Sequence, residues 1–326
     1  MMAIIFMAVA AGAASALMFA SIISGELISI LLMYLAPLPL MVAAMGWGSF
    51  CGIIGGLAAA GGLAAIFGLP YGLAYAVAVA LPAWWLGHLA LLGRPLADHG
   101  SAGPDDAAPA VPEFEWYPVG RIVVWISGFA ALTTLAALLT LGTDAASINN
   151  TLRHGLMRVF SPHDPQPTGD VEQWVDALVM MAPFAASVVA MPILTLNLWL
   201  AAKITATSGR LRRPWPDLRA TALPPMTLVA LCVAIAFCFA GGLLAIVAEI
   251  VTSALLMAYA LTGFAVLHTL TLTMKSRAVW LGATYAVVVI FTWPVLALIL
   301  LGLADAVFGL RQRYLRKRRP PPLPVS

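Results

Sequence analysis

Few side chains in this sequence could do chemistry, and their placement decides what that chemistry is. Asn197 stands in the apolar run Leu194-Thr195-Leu196-Asn197-Leu198-Trp199, and Glu249 lies near the middle of the apolar stretch 224–274. His88 and His268 fall toward the ends of apolar runs, and Asp305 stands six residues before Arg311. Polar and ionisable groups are costly to bury in lipid, so each is by default a candidate for binding or proton movement. Each also has a structural reading. Asn197 would bridge two helices, the histidines would be satisfied locally, and Asp305 would pair with the basic tail. Glu249 depends on the turn: a turn at the residue leaves it at the surface, whereas one at Gly241-Gly242 puts it inside a helix. Asn197, Glu249 and His268 are the candidate cavity residues.

Catalytic patterns are missing. The sequence has no GxxxxGK[ST] loop for nucleotide phosphates, no HExxH helix for zinc and no GxSxG elbow. It has no carboxylate pair on one apolar helix face, and no channel-type selectivity sequence or charged ring. The three cysteines, Cys51, Cys232 and Cys238, sit in apolar runs without a CxxC or a nearby histidine ligand. The expectation is a non-enzyme with no metal site and no cofactor. The net charge of +3 arises mainly from two basic clusters, which is not a nucleic-acid footprint.

The elements that position these residues follow from composition. The 326 residues are 62% apolar and only 10% charged, against about 25% charged in a soluble domain. Mean hydropathy is +0.97. Residues 1–93 carry a single formal charge, Glu26. Such a chain belongs in a lipid bilayer as an all-α, polytopic helical bundle. At roughly 20 residues per crossing, residues 2–22 make a first span; lacking a Lys/Arg-rich start, it reads as retained rather than as a signal peptide. Residues 27–93 make three more (27–46, 50–69 and 71–93), divided at Gly46-Trp47-Gly48-Ser49 and Gly68-Leu69-Pro70. Residues 94–118 form a flexible acidic Pro/Ala-rich loop with Asp98, Asp105, Asp106, Glu113 and Glu115, ending in the aromatic anchor Trp116-Tyr117.

The block 119–310 opens with a fifth span, 119–142. In 144–176, Ile148, Leu152, Leu156 and Val159 recur at helical spacing, which predicts a short helix near 145–160, either in the membrane interface or capping the bundle. A sixth span, 177–202, leads into the basic loop of Lys203, Arg210, Arg212, Arg213 and Arg219, which is cytoplasmic by the positive-inside rule. Counting back places the N-terminus inside. The basic, Pro-rich tail 311–326 also demands the cytoplasm, so an even number of crossings must separate it from the basic loop. The reading is eight spans, with 224–274 crossing once and its remainder re-entrant; nine, or a broken hairpin over 278–310, is the alternative.

Pro37, Pro39, Pro82 and Pro192 fall within spans, and breaks of this kind can line a cavity. Small residues recur every fourth position at Ala8, Gly12, Ala16 and Ala20, and again at Gly52, Gly56, Ala60 and Ala64. Such ridges let helix backbones approach closely, either within the bundle or against another membrane subunit.

The runs Leu196-Asn197-Leu198-Trp199-Leu200-Ala201-Ala202-Lys203, Ser208-Gly209-Arg210-Leu211 and Arg213-Pro214-Trp215-Pro216-Asp217-Leu218 resemble the YybS-like family of bacterial membrane proteins of unknown function. So does the ending Gly302-Leu303-Ala304-Asp305-Ala306-Val307-Phe308-Gly309-Leu310-Arg311. The resemblance extends over nearly the whole chain. That family is distantly similar to the substrate-binding S components of energy-coupling-factor transporters. The resemblance implies a helical fold with a midplane ligand cavity and a separate partner that hydrolyses ATP. Extra spans and two sizeable polar loops depart from a six-helix S component, and no family site residues carry over. The functional expectation is a transporter-type substrate-binding subunit without its own ATPase, in the bacterial cytoplasmic (inner) membrane. Its partners would be the bilayer, another membrane subunit and a small-molecule substrate. The alternative is a scaffold or assembly factor that binds a protein through small-residue helix faces.

Overall fold

Two glycines divide the uncharged N-terminal run. Gly48 and Gly68 hold φ of +102° and +95°, values that a side chain would strain, and each ends one helix while starting the next. The helices on either side are therefore joined by single residues. In a computed structural model describing residues 1–95, 114–160, 169–272, 274–291 and 293–316, the N-terminal helices are α1 (Met2–Ala20), α2 (Leu27–Leu35), α3 (Pro37–Trp47) and α4 (Ser49–Phe67), with Gly48 between the last two. α5 (Leu69–Tyr75) continues through a π-turn, Ala76–Ala80, into α6 (Leu81–Ala90). Asp98, Asp105, Asp106 and Glu113 of the acidic loop, and Lys317, Arg318 and Arg319 of the tail, lie outside the described residues.

The ends of that loop pair as a short antiparallel ribbon, β1 (Gly93–Pro95) and β2 (Phe114–Trp116), with an exposed Arg94–Glu115 ion pair of 2.6 Å. The remaining elements among the described residues are helices: α7 (Val119–Leu139), α8 (Ala145–Phe160), α9 (Gly169–Thr207), a 3-10 turn (Leu218–Ala220), α10 (Met226–Phe237) and α11 (Gly242–Leu270). α12 (Arg277–Phe291) and α13 (Val295–Phe308) follow, separated at Pro294, and then α14 (Leu310–Arg316).

Among the described residues, seven helical stretches are long and apolar enough to cross a bilayer: 2–24, 27–47, 49–67, 69–90, 119–139, 170–207 and 242–270. Three shorter apolar helices, α10, α12 and α13, accompany them. Large apolar side chains such as Phe6, Leu57, Phe239 and Val289 are more than two-thirds exposed. In water that surface would aggregate; in lipid it is solvated. The chain is a multi-pass, all-α integral membrane protein.

It divides into two compact units. Unit 1 comprises Met1–Ile122 with Leu196–Pro216, and unit 2 comprises Val123–Thr195 with Asp217–Ser326. In unit 1, α1 lies so close to α4 that a methyl group at Gly12 would overlap the Gly55 carbonyl, and one at Gly55 would meet the Ala8 carbonyl. Gly52 and Gly56 face elsewhere, onto Ala44 of α3 and Ala80 of the π-turn. The Ala60 carbonyl and Ala64 sit against Gly72 of α5, while Ala16 and Ala20 are half-buried. The basic loop is pinned to the same unit. The Lys203 ammonium lies 4.3 Å from the Trp215 ring centroid, the Arg210 guanidinium lies 4.5 Å from that of Trp47, and Arg213 donates to the Ala90 carbonyl.

In unit 2, Ile148 of α8 is fully buried among Leu138, Ile246 and Ile250, with Leu152 packed beside it. Leu156 on the same stripe is half-buried and Val159, at its far end, is 73% exposed, so the contact fades toward the end of α8. The helix begins with a reciprocal cap: the Asp144 carboxylate accepts from the Ser147 N–H at 2.9 Å, and the Ser147 hydroxyl accepts from the Asp144 N–H. These bonds hold the Asp144 carboxyl below the usual carboxylate range. A depressed folded value means that the cap contributes fully above the ordinary carboxylate pKa and is lost as pH falls through the folded one. Amide exchange over 145–150, corrected for its intrinsic pH dependence, is expected to quicken at low pH in the wild type. In Asp144→Ala it should already be fast at neutral pH.

Candidate functional site

The loop 217–225 supplies one rim of a cavity in unit 2. Asp217 starts its 3-10 turn by accepting from the Arg219 N–H, and its carboxylate pairs with the Arg219 guanidinium at 2.8 Å. This pairing holds the Asp217 carboxyl below its usual range and raises Arg219. Pro224 and Pro225 then lead into α10. Leu223 and Leu228 descend onto Tyr259 of α11. The opposite wall is the end of α13 and the start of α14, including Asp305, Ala306, Phe308, Gln312 and Arg313. The cavity is open on one side and its volume is about 860 Å³, within the roughly 300–1,000 Å³ typical of ligand sites.

Arg311 closes one side. Its guanidinium pairs with the Asp305 carboxylate at 2.7 Å and donates to the Arg219 and Thr221 carbonyls at 2.6 and 2.8 Å. Its backbone N–H also donates to Asp305. Both side chains are about nine-tenths buried. The last residue of the basic loop and the first of the basic tail therefore touch. Tyr314 donates to the Leu270 carbonyl, bringing the end of α11 to the same place.

The three residues singled out from sequence are not brought together. Asn197 is buried in unit 1, where its amide donates to the Tyr34 carbonyl at 2.8 Å. That carbonyl stands beside the Pro37 break, and the neighbouring Ala36 carbonyl accepts from Ser15, which in turn accepts from Tyr75 at 2.8 Å. Side chains of other helices thus occupy the backbone acceptors around the break. Glu249 and His268 are both in unit 2, but on one helix and 19 residues apart, about 28 Å at 1.5 Å per residue. The chain turns at Gly241-Gly242, so Glu249 lies within α11; it is half-buried with no hydrogen bond or ion pair among the described residues. His268 meets the Tyr285 hydroxyl at 2.9 Å, and Tyr285 stacks on Phe264. None of the three lines the cavity described above.

Sequence reasoning passed over the residues that do line it, apart from Asp305. Their signal was present: a Pro-Pro pair after a charged turn, and an aspartate six residues before an arginine at a membrane exit. No group of three or more potential metal ligands occurs among the described residues. No protein-family model, curated protein or solved structure matches the chain.

Proposed function

We propose that the chain is a transporter-type substrate-binding subunit that relies on a partner for energy, in keeping with its resemblance to the YybS-like family. The observation that carries this reading is the cavity in unit 2. Charged and apolar groups border about 860 Å³ of space there, room for a small molecule. The small-residue ridges offer a partner little. Ala8, Gly12, Gly52 and Gly56 are buried against neighbouring helices of their own unit. The Arg311 contacts with Arg219 and Thr221 favour an even number of crossings between the two basic segments. Eight spans with both basic segments in the bacterial cytoplasm satisfy that parity.

The test is a ligand search on protein purified in mild detergent, by mass spectrometry of copurifying small molecules and by thermal shift. A bound molecule lost from Ala306→Trp, which places an indole at the cavity wall, is the expected result. Absence of any ligand, together with a copurifying assembly factor, would replace this reading with the scaffold.

A further inference from the structure

The charges at the cavity mouth define what it would accept, an argument that rests on reading the cavity as the binding site. Both carboxylates there are already engaged: Asp217 by Arg219 and Asp305 by Arg311. A cationic ligand would find no uncommitted anion. Arg311 is spent as well, on Asp305 and two backbone carbonyls. Arg313 differs. It is exposed at the rim and has no ion pair or side-chain hydrogen bond among the described residues. Arg219 shares its guanidinium with a half-exposed aspartate, so it can turn to a second anion. Gln312 adds a neutral donor on the same wall. Inward from the guanidiniums the walls become largely apolar, through Leu223, Leu228 and the Tyr259 ring, and the Thr262 and Thr269 hydroxyls there already donate to carbonyls of their own helix. The cavity therefore has a cationic mouth and an apolar floor, and it stands where the apolar helices give way to charged sequence. A small hydrophilic solute would leave the floor unsatisfied; a neutral hydrophobe would leave Arg313 without a partner.

We infer that this cavity binds a phospholipid of net negative charge from the bilayer itself. Its anionic head would meet Arg313 and Arg219, and its apolar body would lie against Leu223, Leu228 and Tyr259. Phosphate binding of this kind draws on charge-assisted hydrogen bonds from guanidinium groups.

The experiment is native mass spectrometry of the full chain in mild detergent, titrated with phosphatidylglycerol or with phosphatidylcholine of the same acyl chains. Phosphatidylglycerol is expected to be retained about tenfold more strongly, a difference the size of one charge-assisted contact. Arg313→Gln should remove that preference, whereas Arg158→Gln, an exposed arginine on α8, should leave it intact. Millimolar inorganic phosphate should not displace the lipid. Equal retention of the two lipids, or an unchanged preference in Arg313→Gln, overturns the inference. Displacement by inorganic phosphate overturns the lipid as the source and assigns the same guanidiniums to a soluble phosphate compound. Ala306→Trp separates this proposal from the one beneath it. If that variant loses another small molecule while no anionic lipid preference exists, the cavity is the binding site and only the ligand class is wrong. If it changes the binding of nothing, the cavity is not the site.

Discussion

Gly302→Leu is expected to destabilise the protein by about 3 kcal/mol, the upper range for forcing volume into a packed interior. The reason is a reciprocal contact between α11 and α13. A Cβ at Gly302 would overlap the Tyr259 carbonyl and approach the Thr262 hydroxyl at 2.8 Å, and one at Gly263 would overlap the Leu298 carbonyl. Each helix thus presents a glycine to a backbone carbonyl of the other, four residues from the carbonyl it offers in return. Membrane helices gain stability through such close approach, because lipid provides no hydrophobic drive for their association. Backbone cannot move aside as a flexible side chain can. Gly282→Leu is the matched control, since a Cβ there meets nothing within 4 Å, and exposed substitutions of that kind usually stay within about 0.5 kcal/mol. Thermal melts in detergent compare the two variants. Similar losses in both would show that the crossing is not tight.

Arg311→Met is expected to cost about 3–5 kcal/mol, because removing one member of a buried pair strands the other. Asp305 is 9% exposed and would keep a charge with no cation opposite it. The Arg219 and Thr221 carbonyls would lose their donor in the same step. The double variant Asp305→Leu/Arg311→Met removes both charges and should regain most of the loss, since apolar replacement of a buried pair is often neutral. It should not regain all of it, because the two carbonyls stay unpaired. A double variant as unstable as Arg311→Met would mean that the aspartate's charge is not what makes the single change costly.

Seven span positions were legible in the sequence because charge and glycine mark them, whereas the stretch 278–310, expected as one span, is divided into the two short helices α12 and α13. The breaks expected around Gly48 and Gly68 fall at those residues, and the aspartate before the basic tail pairs with Arg311 as its structural reading required. Helix faces were harder to read. A four-residue ridge named Gly12 but not Gly55, which is the residue that meets it, because spacing along one helix does not say which neighbour each face will find. Gly263 and Gly302 escaped for the same reason. The cavity was illegible on other grounds. Its walls come from a loop, the middle of α11 and the turn after α13, so no single stretch carries a pattern. Intramembrane polarity pointed instead to Asn197, whose partner is a carbonyl beside a proline break, 163 residues away in the chain.

That long-range bond bears on how the protein is made. Unit 1 is left at Ile122 and rejoined only at Leu196, and unit 2 is likewise written in two instalments. A nascent chain that has delivered its first six helices to the membrane still lacks Asn197 for the Tyr34 carbonyl, and it lacks the lysine and arginines that settle on Trp215, Trp47 and Ala90. α1–α6 are without these partners while the ribosome translates the first part of the other unit. Neither unit can be expressed as one continuous fragment, and unit 1 closes around its first helices only after most of the chain's spans have been made.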